Sequence, residues 1–243
     1  VNPPGAGSST HIAARAVLVD IEGTTSTVAF VHQVLFPYSD AHLDGYVAAH
    51  RADAEVAQAM LEAARLAGEP DDADDATVLA QLHEWIAEDR KATPLKTLQG
   101  LIWAEGYANG DLRAHVYPDA AAGLRRWHAA GLELYVYSSG SIAAQKVLFA
   151  NNSQGDLTPL FTNYFDTTIG HKREARSYTA ISRAMRTPPE DIVFLSDVDA
   201  ELDAARETGM QTVRLLRPAD TPPGATTKHP AATTFDDIEI VPG

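Results

Sequence analysis

The sequence predicts an α/β fold, an open parallel sheet covered by helices on both faces and interrupted after its first strand by an all-helical insertion. Three observations carry this. Short apolar runs recur along the chain, each ending abruptly at a polar residue, as in "RAVLVD" (15–20) and "DIVFLSD" (191–197). In the second half these runs alternate with helical patterns, the rhythm of strands that run parallel. Between about residue 28 and residue 114 the helical patterns follow one another with no strand among them.

The elements follow in order. "RAVLVD" is a continuous apolar run, the mark of a strand buried on both faces. "DAEVAQAMLEAARLAG" (53–68) spaces Val56, Met60 and Ala63 at helical intervals and closes on Gly68. The acidic, proline-containing "EPDDADDA" (69–76) is a loop, with Asp75 as expected cap of the helix "ATVLAQLHEWIAEDRK" (76–91). Thr93 is expected as the next N-cap with Pro94 at the first helical position. "YPDAAAGLRRWHAAG" (117–131) is a helix with Pro118 near its start and Gly131 past its end. "LELYVYS" (132–138) is then a strand, "SIAAQKVLFAN" a helix, "FDTTIG" (165–170) a strand and "EARSYTAISRAMR" a helix. "DIVFLSD" is a strand, "AELDAARETG" a helix and "QTVRLL" (211–216) a strand. The tail from Pro218 reads as loop, with "IEIV" as one last strand. The expected domains are 15–27 with 115–243, and 28–114.

The chain has 243 residues and a formal net charge of -14. Such a surface repels polyphosphate backbones, so nucleic acid is not an expected partner. It also repels a small phosphate ester, so an enzyme for one needs a local cation. No apolar run approaches the roughly 20 residues of a membrane span. "VNPPGAGSST" lacks a basic start and an apolar stretch, and reads as a flexible tail and not a signal peptide. The absence of cysteine excludes disulfides, thiolate metal sites and thiol catalysis, and is compatible with a cytoplasmic protein.

In open parallel sheets, ligands bind outside the carboxyl ends of the strands. Those ends carry Asp20 and Glu22, then Ser138 and Ser139, then Lys172, then Asp197 with Asp199 and Glu201 beyond. Asp20 and Asp197 suit a hard cation such as Mg²⁺, which takes one or two carboxylates plus water and substrate phosphate. A carboxylate beside that metal can attack phosphorus. Ser138 or Ser139, before the helix at 141–150, can donate to phosphate oxygens. Lys172 can neutralise a transferring phosphoryl group. Taken singly, Asp197 reads as a helix cap, the serines as a turn and Lys172 as a surface charge. At successive strand ends of one sheet they read together as a site.

The order acid-x-acid, Ser, Lys, acid resembles the haloacid dehalogenase superfamily of aspartate-nucleophile phosphotransferases, with its Rossmann-like core. Glu22 stands where most of its phosphatases carry Asp. "DIEGTT…FVHQVLFPY" (20–38), "RKATPLKTLQG" (90–100), "YVYSSGSIAAQKVLFAN" (135–151), "FDTTIGHKREARSY" (165–178) and "FLSDVDAELDAA" (194–205) are similar to the enolase-phosphatases (acireductone synthases) of methionine salvage. The resemblance runs from about residue 15 to about 217. "TSTV" (25–28) lacks an expected proline, and the tail after Pro218 has no match.

The resemblance implies a helical cap at 28–114 and a phosphorylated diketone as substrate, 2,3-diketo-5-methylthiopentyl 1-phosphate, enolised and then dephosphorylated. It implies Asp20 as nucleophile and metal ligand, Glu22 and Asp197 as further Mg²⁺ ligands, Ser138 and Ser139 as substrate-binding residues, and Lys172 on the phosphate. Glu22 and Lys172 join Asp20 as catalytic residues. A monomer acting on a small molecule is expected. Two alternatives stay open: a general phosphate-monoester phosphatase of the same superfamily, and a phospho-accepting receiver or binding protein.

Overall fold

The computed structural model describes residues 10–243. The segment 1–9, which holds most of the expected tail, lies outside the described residues. The chain forms two compact units, one of residues up to Val28 with Ala114–Gly243, the other Ala29–Arg113.

Helix α1 (Val28–Phe30) runs through a π turn (Val31–Leu35) into α2 (Phe36–His50). Then follow α3 (Ala54–Ala67), α4 (Asp75–Ala87) and α5 (Thr93–Asn109). Their apolar faces meet in one core that includes Leu43, Met60, Leu82, Trp85 and Leu98. Gly68 closes α3 in the left-handed conformation, as its position predicts. Two caps differ from expectation by one residue. Asp74, not Asp75, accepts the Thr77 N–H (2.8 Å), leaving the Asp75 carboxylate to pair with Arg51. Ala92, not Thr93, holds the extended N-cap conformation ahead of α5.

The second unit holds β1 (Thr10–Ala14), β2 (Ala16–Val19), β3 (Glu133–Tyr137), β4 (Phe161–Phe165), β5 (Ile192–Ser196), β6 (Gln211–Leu215), β7 (Ala231–Ala232) and β8 (Ile238–Pro242). Six strands make one parallel sheet in the order β4-β3-β2-β5-β6-β7. Its helices are α6 (Pro118–Ala129), α7 (Ile142–Ala150), α8 (Ala175–Met185) and α9 (Asp199–Glu207). The central strands β2 and β5 are buried at every position, which explains their unbroken apolar runs.

Two features depart from the expectation. The strand expected at 165–170 is instead Phe161–Phe165, and 166–170 is a turn. The Asp166 carboxylate accepts the N–H and the hydroxyl of Thr168 (2.9 and 2.6 Å), an Asx-type turn that overrides the β preference of the two threonines. The strand itself lies at the sheet edge with Thr162 and Asn163 exposed, which breaks its apolar pattern. The tail beyond Pro218 is not all loop, since β7 extends the main sheet. The "IEIV" segment is the last strand, β8, as expected, and it pairs in parallel with β1 as a second small sheet.

Candidate active site

Asp20 is the first residue beyond β2, and its N–H donates to the Leu195 carbonyl of β5 (3.0 Å). Val19 is level with Val136 of β3 and Leu195 of β5, so three strands end together around Asp20. Its carboxylate is buried and held at both oxygens. Oδ1 accepts the Ile21 N–H (2.7 Å), and Oδ2 lies 2.7 Å from Lys172 Nζ and 3.3 Å from Ser196 Oγ.

Lys172 arrives from the β4–α8 loop, with its side chain 10% exposed. Its ammonium also lies 2.7 Å from Glu201 Oε2, in the first turn of α9. The loop is fixed from below: Tyr178 donates its hydroxyl to the Lys172 carbonyl (2.7 Å), Ser177 to that of His171 (2.7 Å) and Tyr137 to that of Gly170 (2.8 Å). Gly170 has a φ of 144°, and a Cβ there would lie 2.2 Å from Ser177 Oγ, so only glycine makes this turn. Burial opposes the charge on Lys172, but Asp20 and Glu201 outweigh it and hold the ammonium protonated well above its usual range.

Asp197 follows β5 and is half-buried. Burial, then the charges of Asp20 and Glu201, push its carboxyl up to about 7. Burial and Asp20 raise Glu201 as well. Three carboxylates thus face one ammonium. Gly23, with φ at 65°, presses its backbone against this group: a Cβ there would lie 2.3 Å from Asp197 Oδ2. Glu22, half-buried, pairs through its backbone with Ser26.

Among the described residues, no three His, Cys, Asp or Glu side chains group as a complete metal centre. A Mg²⁺ site built from two carboxylates, a backbone carbonyl, water and substrate phosphate needs no third. The excess negative charge around Asp20 and Asp197 and the close backbone approach at Gly23 fit a hard divalent cation bound there.

The structure therefore brings Asp20, Lys172 and Asp197 together. Ser138 and Ser139 stand at the end of the neighbouring strand β3. Ser138 is buried, its Oγ accepting the Gly140 N–H (3.3 Å), and Ser139 is half-buried. Among the described residues, neither hydroxyl bonds to Asp20 or Lys172. The cap of α7 is Ser141, whose Oγ accepts the Ala144 N–H (3.2 Å). Sequence reasoning gives no role to two members. Glu201 was visible as an acid one turn past Asp197, but its pairing with a lysine almost thirty residues earlier leaves no local pattern. Ser196 reads as one more strand residue.

The fold and this arrangement of charges define a class, and the chain belongs to the haloacid dehalogenase-like hydrolase family, which matches residues 14–209. Curated relatives at about half identity carry the name Enolase-phosphatase E1. The chain is 54% identical over 226 residues to Enolase-phosphatase E1 of Pseudomonas aeruginosa strain UCBPP-PA14, covering 93% of this chain and 98% of the relative. It is 55% identical over 225 residues to Enolase-phosphatase E1 of Azotobacter vinelandii, covering 93% and 97%. The crystal structure of the UTR4 protein of Saccharomyces cerevisiae matches with a TM-score of 0.77 at 32% identity, covering 92% of this chain and 99% of that one.

Proposed function

We propose that this enzyme is a Mg²⁺-dependent enolase-phosphatase of methionine salvage. It converts 2,3-diketo-5-methylthiopentyl 1-phosphate to 1,2-dihydroxy-3-keto-5-methylthiopentene and phosphate. The observation that carries the phosphatase half is the buried Asp20 carboxylate, 2.7 Å from an ammonium that Glu201 holds from its other side. A buried carboxylate is costly unless paired, and this one is paired at a strand end where ligands bind.

In the enolase half, the C–H bond of the carbon bearing the phosphate ester breaks. Its electron pair forms the C=C bond, and the adjacent carbonyl oxygen takes a proton. Glu22 is the base we assign, since it follows Asp20 by two residues and its side chain is one methylene longer than Asp. In the phosphatase half, an Asp20 oxygen attacks phosphorus, the P–O ester bond breaks, and the enol oxygen leaves with a proton. Water then attacks phosphorus, releasing phosphate and restoring the Asp20 carboxylate. Lys172 stabilises the transferring phosphoryl oxygens, and Ser138 and Ser139 donate to them. Asp20, Glu22 and Asp197 would hold Mg²⁺, which would supply positive charge to the phosphate and so offset the acidic surroundings.

The test is turnover of the diketo phosphate with separate detection of enol and phosphate, beside a panel of sugar phosphates. Glu22→Gln should stop exchange of the carbon-bound proton with D₂O more completely than it slows hydrolysis of a simple ester. Faster turnover of a sugar phosphate than of the diketone would make this a general phosphatase. Equal loss of exchange and hydrolysis would return Glu22 to the metal site alone.

A further inference from the structure

A buried arginine stands just before the tail. Arg217 is 2% exposed, yet its guanidinium reaches across the unit to the turn that follows the nucleophile. Nε and Nη2 both donate to the Thr24 carbonyl (3.0 and 2.7 Å). Nη1 lies 2.6 Å from Asp119 Oδ2, at the first turn of α6, and 3.3 Å from the Thr233 carbonyl. The guanidinium carbon lies 4.3 Å from the Tyr117 ring centroid and 5.2 Å from that of Phe235.

Arg217 holds the turn that follows Asp20. The Ile21 carbonyl is the shared acceptor for the N–H groups of Thr24, Thr25 and Ser26 (3.2, 3.0 and 2.8 Å). Thr25 donates its hydroxyl back to the Asp20 carbonyl (3.0 Å). Among the described residues, the buried Thr24 hydroxyl has no hydrogen-bond partner. From outside the turn, besides Arg217, the Tyr117 N–H donates to the Thr25 carbonyl (2.9 Å) and His115 faces Ser26 and Thr27. Asp220, in the tail, continues the grip. Asp220 accepts from the Thr27 hydroxyl (2.9 Å), the Val28 N–H (3.1 Å) and the Tyr117 hydroxyl (2.9 Å).

A buried guanidinium adds little net stability over an apolar replacement, because its desolvation offsets what its bonds return. Its particular gain is geometric. A rigid planar fork with two donors on one carbonyl fixes that peptide in position and orientation. Here the peptide lies directly after Gly23, the residue pressed against Asp197.

We infer that Arg217 is a positioning residue for the reaction. Its fork on the Thr24 carbonyl sets the backbone of Asp20–Gly23, and so aims the Asp20 carboxylate at phosphorus. The inference rests on the proposed phosphatase role of Asp20, and one arm of its test needs no substrate.

The first arm is hydrogen exchange of the intact metal-loaded enzyme. In Arg217→Met, amides in peptides covering 20–28 should exchange at least about tenfold faster, while those of β5 keep wild-type protection. Leu132→Ala is the control. Leu132 is a buried residue before β3, at the opposite end of the sheet from the strand ends that carry Asp20. It should lower the melting temperature without changing exchange at 20–28. The second arm is kinetics at a temperature where every variant is folded. Arg217→Met should lower kcat roughly ten- to a hundredfold with KM within about twofold, the cost of a misplaced reacting group. Leu132→Ala should keep kcat. If Arg217→Met does not fold, Arg217→Lys, which retains the charge but loses the fork, is read in the same way. Wild-type exchange at 20–28 in a folded Arg217 variant would overturn the inference. So would equal kcat loss in Leu132→Ala, which would make stability the common cause. Faster exchange at 20–28 with no wild-type hydrolysis of any phosphate ester would instead support the brace and count against the proposed function.

Discussion

The two compact units handle charge in opposite ways. In the helical unit the core is apolar, and the ion pairs ride on the surface, as in Arg51 with Asp75 and His83 with Asp40 and Asp44. In the α/β unit, Asp20, Glu201, Lys172 and Arg217 are all buried or nearly so. Burying a charge costs several kcal/mol before its partner returns any of it. The helical unit avoids that cost. The α/β unit accepts it at one end of one sheet, which is where perturbed titrating groups mark chemistry.

This contrast can be broken at several points. Removing divalent metal should have one of the largest effects. Three carboxylates against one ammonium leave a negative site that repels a phosphate ester, so EDTA should reduce turnover to background and Mg²⁺ should restore it. Full activity after chelation would remove the cation from the account. Next is Lys172→Met. Losing one preorganised charge on the phosphoryl group typically costs roughly a hundredfold to a thousandfold in rate. Near-normal kinetics would make the buried ammonium a structural counter-ion only.

The helical unit should respond weakly to the same kind of change. Arg51→Ala removes an exposed pair and should cost no more than about 1 kcal/mol in a denaturant titration. A loss several times larger would show that its surface charges matter as the buried ones do. The smallest expected effect concerns His83. Burial acts to lower its pKa, but Asp40 and Asp44 outweigh that and raise it. A raised histidine stabilises the folded state below about pH 6.5, its ordinary pKa, and that contribution is lost as pH rises through the folded value. His83→Asn should therefore flatten the slight fall in melting temperature above pH 6.5. An unchanged slope would assign that fall to other groups.

The contrast also explains what the sequence made legible. Strands buried on both faces show as unbroken apolar runs, so β2 and β5 are plain in the sequence; β3 and β6, with Glu133 exposed and Gln211 and Arg214 half-buried, are legible from the strand–helix alternation instead, and the acids and the lysine lie just beyond strand ends. β4 was misplaced because an edge strand need not be apolar throughout, and the Asp166 turn mimics a continuation of it. The roles of Glu201, Ser196 and Arg217 are not legible in the sequence for one reason. Each acts on a partner far along the chain, on Lys172, Asp20 or Thr24, and no spacing rule records a contact that only the folded sheet creates. The tail was opaque for the same reason: Asp220 is one acid in a Pro- and Thr-rich stretch until the fold brings it to Thr27 and Tyr117.

The central claim is that the buried charge at the end of β2 does covalent chemistry. The most direct test is to quench the enzyme during turnover of the diketo phosphate and map its peptides by mass spectrometry. The account predicts one phosphoryl group on the peptide containing Asp20, absent in Asp20→Asn, with phosphate release lost in that variant while its circular dichroism stays that of the folded protein. Phosphate release by Asp20→Asn at a substantial fraction of the wild-type rate, or a phosphoryl group on any other residue, would contradict it.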